Sequence, residues 1–211
     1  MAKNNLVPET PIANRRLAQG AQSRARLIAA ARALFEKNGY ANTSTEALLL
    51  ATGLTRGALY HHFRDKKDLF VAVCEAVHSD LSAAIEQAAN TQETPAEQLL
   101  AGAMAWVDAI SQAGPRQVLL TDGPSVLGAE TWVVLDERHG YQQLRAVLGE
   151  ILSPRGEMSA LEIDACASAI NGAINELAQW LARHPTEAYP DARGAAMAAL
   201  RRVCGNVLAA I

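Results

Sequence analysis

From Ser23 onward, apolar side chains return every three or four residues, the spacing of one face of a helix. Leu27, Ile28, Ala31, Leu34 and Phe35 share one side of the wheel, with Arg24, Arg32 and Lys37 elsewhere. Asn38-Gly39 closes this first helix, because glycine adopts the left-handed conformation that follows a helix end. Thr43-Ser44-Thr45-Glu46 has the capping-box spacing, Thr and Glu three residues apart, and opens a short second helix that stops at Gly53. Thr55 is placed to cap a third, from Arg56 to about Phe63, with Leu59 and Phe63 as its apolar side. Asp65 caps a fourth, whose stripe is Leu69, Phe70, Val73, Val77 and Leu81.

The remainder is helical too. Pro95 starts a helix containing Leu99, Leu100, Ala103, Met104, Val107 and Ile110, and Gly114-Pro115 and Asp122-Gly123-Pro124 are breaks. One long helical stretch follows from about Ser125 to Leu152, carrying Leu127, Trp132, Leu135, Leu144, Val147, Leu148 and Ile151. Ser153-Pro154-Arg155-Gly156 reads as a loop. Ser159 with Glu162 makes a further capping box, opening a helix to about Arg183, and Asp191 is positioned to cap a last one. Residues 1–22, polar and bearing Pro8, Pro11 and Arg15-Arg16, read as a flexible basic arm. The pattern predicts an all-α protein of about nine helices, with a small unit over 23–70 and a larger one over 71–211.

Half of the 211 residues are hydrophobic, which excludes a disordered chain. The formal net charge of −3 hides an asymmetry. Residues 1–70 hold eleven basic and five acidic side chains, +6, whereas 71–211 hold eight basic and seventeen acidic, −9. A basic first third on an acidic remainder is the distribution of a nucleic-acid-binding module joined to something else. Cys74, Cys166 and Cys204 are odd in number and widely spaced, which argues for a reducing compartment and against a disulfide framework or zinc site. No run approaches ~20 apolar residues and the first 22 lack a signal-peptide core, so a cytoplasmic protein without a membrane partner is expected.

The two short helices joined at Gly53-Leu54 have the form of a helix-turn-helix, whose second member enters the major groove. Leu59 and Phe63 anchor that second helix, while Arg56 and Tyr60 project to another side beside Gly57 and His61. Arginine reads guanine O6 and N7 in a bidentate manner. Gly57 allows close backbone approach, and the Tyr60 hydroxyl and the His61-His62 pair are suited to phosphate. Lys66, in the first turn of the fourth helix, is placed as a phosphate clamp where the helix dipole already favours an anion.

Residues 24–70, and above all Gly53-Leu54-Thr55-Arg56-Gly57-Ala58-Leu59-Tyr60-His61-His62-Phe63 followed by Lys66 and Leu69, resemble the DNA-binding domain of the TetR (tetracycline-repressor) family. The resemblance implies that Thr45, Thr55, Arg56, Gly57, Tyr60, His61, His62 and Lys66 face double-stranded DNA; Glu46, near that surface, is accounted for by capping. It further implies a homodimer on a pseudo-palindromic operator and a C-terminal domain that binds a small effector and dimerises. Its last two helices, about 159–183 and 191–210, are rich in small residues (Ala165, Ala169, Gly172, Ala173, Ala195, Ala196, Ala199) that let two backbones approach closely.

The effector site is expected to be a mostly apolar cavity with a few polar groups. Its candidates are Trp106, Met104, Leu120, Trp132, His139, Cys166, Ile170 and Asn171, with the two indoles preferred for stacking. Cys74 and His78, four apart, have a metal-ligand spacing but no third partner, and read as a buried thiol beside a surface imidazole. No P-loop, dinucleotide fingerprint or G-x-S-x-G occurs, so neither cofactor nor enzyme activity is expected. The reading is a ligand-responsive transcriptional repressor. Its alternatives are a nonspecific or architectural DNA binder, or a partner-binding helical protein, without an effector.

Overall fold

The first helix, α1 (Pro11–Asn38), begins well before Ser23 in the computed structural model, which describes residues 11–153, 158–184 and 188–209. The stretch expected to be an arm is therefore helical from Pro11, a residue well suited to a first helical position. Ala, Leu, Arg and Gln supply the propensity there. Consistent with its lack of an apolar stripe, residues 18, 19, 21 and 22 are exposed. Residues 1–10, and with them Pro8, lie outside the described residues.

Helix α1 ends at Gly39, whose φ of 77° needs no Cβ and whose N–H bonds to the Phe35 carbonyl. Helices α2 (Thr45–Thr52) and α3 (Arg56–His62) follow, joined through Gly53 at φ 65°. Ser44, not Thr43, caps α2: its hydroxyl accepts from the Ala47 N–H, while buried Thr43 donates to the Gly39 carbonyl at 2.8 Å. The expected box with Glu46 is thus not made. Thr55 and Asp65 cap α3 and α4 (Lys66–Ala89) as their positions predict. Leu48, Leu59, Phe63, Leu69 and Phe70 close the first unit over Leu27, Ala31 and Phe35 of α1.

Helix α4 crosses residue 70 without a break and packs along α5 (Pro95–Ser111), which opens on a Thr94–Glu97 capping box. The supposed breaks are then bridged. Short α6 (Ala113–Arg116) runs into a π-helical turn, Gln117–Asp122, and on into α7 (Gly123–Leu127). Pro124 would clash with the carbonyl one turn back in an α-helix. The wider turn accommodates it, the Gly123 N–H reaching five residues back to the Val118 carbonyl.

The single long helix expected from Ser125 to Leu152 is interrupted. Gly128, at φ 84°, separates α7 from α8 (Ala129–Asp136), and a second π-helical turn, Glu137–Tyr141, leads into α9 (Gln142–Leu152). The count among the described residues is eleven α-helices, the last two being α10 (Ala160–Arg183), opened by the Ser159–Glu162 box, and α11 (Ala192–Ala209). Loop residues 154–156 lie outside the described residues. One buried cluster runs from Leu27 and Phe35 through Val107 and Ile110 to Leu148, Ile170 and Leu200, so the two units share a core.

Candidate nucleic-acid interface and effector cavity

Helix α3 divides its surface as its sequence requires. Leu59 and Phe63 are buried, while Arg56, Gly57 and His61 are exposed and Tyr60 retains 47% of its surface. Thr55 is occupied as a cap, its Oγ1 accepting from the Ala58 N–H at 3.2 Å, and remains exposed. Thr45 and His62 are half-buried. Burial, then the neighbouring His61 and Arg24, push the His62 imidazole below its ordinary pKa, which keeps it neutral at neutral pH. Arg24 of α1 lies over the Phe63 ring at 5.1 Å, and Arg26 donates to the Thr52 carbonyl at the negative end of α2.

Two residues behave differently from their sequence reading. Arg56 Nη2 is paired with Glu46 Oε1 at 2.9 Å, so Glu46 orients the arginine instead of capping its own helix. Lys66 does not stand free as a clamp. Its ammonium donates to the Tyr40 and Thr43 carbonyls at 2.7 and 2.8 Å and lies 4.0 Å from the Tyr40 ring centroid, strapping the α1–α2 loop to α4. Desolvation lowers its pKa, partly countered by Asp122.

Asp122 connects this unit to the rest. Its Oδ2 accepts from the Tyr40 N–H at 2.7 Å. The next residue, Gly123, lies under Trp132 so tightly that a Cβ would come within 2.6 Å of the ring.

A cavity of about 290 Å³ opens between α4, α5, α9 and α10. Of the candidates named from sequence, Trp106 and Asn171 line it, and Leu120, Trp132, His139, Cys166, Ile170 and Met104 do not. Ile170 is core and fully buried. Trp132 and His139 instead enclose His78, with ring centroids 5.7 and 5.2 Å from it, and Trp106 stacks on it at 5.9 Å. His78 is therefore not a surface imidazole but wholly buried, with both ring nitrogens unpartnered. Desolvation, with His139 adding to it, lowers its pKa to about 3, so it is neutral. Cys74 is buried as expected, its thiol pushed up to about 12 chiefly by burial. Among the described residues no three metal-ligating side chains converge.

The walls missed from the sequence are Ile85 and Glu86 of α4, Leu99 of α5, Gln143, Leu144 and Val147 of α9, and Ile174 of α10. Nothing in the spacing identified them, because α9 lay within one supposed helix whose inward face could not be assigned. His78 did carry a signal: it continues the stripe Phe70, Val73, Cys74, Val77, Leu81 at helical spacing.

Residues 96–207 match the family described as Tetracyclin repressor-like, C-terminal domain, and residues 27–73 match bacterial regulatory proteins, tetR family. The chain belongs to the TetR family. A TetR-family transcriptional regulator from Pectobacterium atrosepticum is 29% identical, with a TM-score of 0.70 over 88% of this chain and 94% of that one. RolR, solved with resorcinol, shares the fold at 19% identity, with a TM-score of 0.66 over 91% and 94%. The transcriptional regulator AcrR of Shigella flexneri is 38% identical over 60 residues. That stretch spans 28% of either chain, so the kinship with this curated relative lies in a short segment. TetR-family proteins are transcriptional regulators rather than enzymes. No helix among the described residues of this TetR-family chain is long and apolar enough to cross a membrane.

Proposed function

We propose that this TetR-family protein is a ligand-responsive transcriptional repressor, acting in the cytoplasm as a homodimer on a pseudo-palindromic operator. The observation that carries the reading is the division of α3, which buries Leu59 and Phe63 and presents Arg56, Gly57, Tyr60 and His61 on one exposed side. Arg56 reads a guanine edge, Thr45, Thr55, Tyr60, His61 and His62 contact the phosphate backbone, and Gly57 leaves room for it. Lys66 acts through the loop it straps. A domain boundary near residue 70 separates DNA reading from effector binding, and α4 spans it.

Dimerisation uses α10 and α11. Leu161, Ala165, Ala169 and Gly172 form an exposed side of α10, with Ala195 and Val203 exposed on α11, whereas Ala196 is spent in the protomer's own core. The cavity receives the effector, which favours a form with the recognition helices wrongly spaced for two half-sites about 34–36 Å apart. Genomic DNA fragments selected by the purified protein, then footprinted with and without effector, test the reading. The expected result is protection of a short inverted repeat. Uniform protection of any duplex, or none at low salt, contradicts it.

A further inference from the structure

We infer that the cavity takes an amphiphilic cation carrying N–H donors, such as a protonated amine or amidine on an apolar body, a conclusion that rests on reading this cavity as the effector site. The cavity is graded. Its inner wall is buried and apolar, built by Leu99, Trp106 and Ile174, and its outer end is formed by exposed Glu86 and Asn90. Glu86 is the only charged residue among the described lining residues.

Three features give that outer end a negative character. The Glu86 carboxylate is the first. The second is the last turn of α4, which lines the mouth with Ile85, Glu86 and Ala89; carbonyl dipoles concentrate there and no basic residue offsets them. The third is Gln143. Its Nε2 donates to Glu86 Oε1 at 2.5 Å, which fixes the amide, since the reverse orientation would face oxygen against carboxylate. Its Oε1 is left buried without a partner. A lone acceptor beside a carboxylate lacks a donor, and the Glu86 carboxylate, bonded to a neutral amide, meets no cation among the described lining residues. A protonated amine supplies both.

The other ligand classes fit worse. An anionic amphiphile would bring its carboxylate against Glu86 with no cation among the described lining residues to receive it. A neutral apolar molecule would fill the inner wall and leave the acceptors unmatched. The volume, about 290 Å³, is at the small end for ligand pockets and suits a bicyclic body with a short arm.

The test uses three naphthylalkyl compounds that differ only in the head group, an amine, an alcohol and a carboxylate, titrated calorimetrically into the full chain at neutral pH. The amine is expected to bind at least about tenfold more tightly than the others, as a charge-assisted bond allows. Glu86→Gln, at an exposed position, should remove most of that preference. Leu144→Trp, filling the cavity, should abolish all three. If alcohol or carboxylate matches the amine and Leu144→Trp blocks it, the cationic assignment is overturned while the effector cavity stands. If none of the three binds, or Leu144→Trp in folded form leaves binding intact, the assignment and the effector reading of this cavity both fall.

Discussion

A buried imidazole and a half-buried ammonium show how single side chains set conditions on the fold. His78 has no hydrogen-bond partner for either nitrogen and its pKa is lowered to about 3, from an ordinary 6.5. The unfolded chain therefore binds a proton that the native one refuses between those values, and stability present above pH 6.5 is lost as pH falls. At pH 5 this one residue costs about 2 kcal/mol relative to pH 7. Urea unfolding at the two pH values measures it, and His78→Phe should flatten the difference by that amount. Lys66 is the converse case, a charge held by carbonyls of another segment. Lys66→Met should cost about 1–3 kcal/mol of stability, because two loop carbonyls lose a charged donor. A phosphate clamp at this position would instead lower the salt slope of DNA binding by about 1. Measuring melting temperature and slope together separates the roles; a lower melting temperature with an unaltered slope is expected.

The helices and their joints differ in how plainly the sequence declares them. Helices α2, α3 and α4 are legible because their caps and turn glycines are local chemistry: Thr55, Asp65 and Gly53 act within three or four residues of themselves. The same locality misleads at Thr43, where a box-like spacing loses to a tertiary bond, Thr43 turning inward to the Gly39 carbonyl. Helical periodicity cannot see a π-helical turn or Gly128 breaking a helix, so the 125–152 region reads as continuous and the cavity-facing side of α9 stays hidden. The 117–122 turn is where the two units touch. Asp122 accepts from Tyr40, and Gly123 holds Trp132, which packs on His78. Asp122→Ala should leave effector affinity near the parent value while weakening the effector's influence on operator binding, measured as the ratio of operator affinities with and without effector. Gly123→Ala, overpacked against Trp132, should cost about 1–3 kcal/mol in unfolding free energy.

Over the whole chain, the net charge of −3 is the sum of a +6 region that meets DNA and a −9 region that the duplex repels. That polarity orients docking, and makes operator binding fall steeply with salt. A dimer of twice 22.5 kDa, about 45 kDa by light scattering, is the expected assembly. The negative field of the larger unit also agrees with a cationic effector. In the proposed mode of binding, Arg56, oriented by Glu46 on the exposed side of α3, reads a base in each half-site. Fluorescence anisotropy of Arg56→Ala and the parent, on the selected operator and on operators altered one base pair at a time, tests it most directly. Arg56→Ala is expected to lose about 1–3 kcal/mol on the intact operator and to become indifferent to one symmetric base pair. Arg56→Ala that keeps the parent's affinity and its full set of base preferences would contradict it.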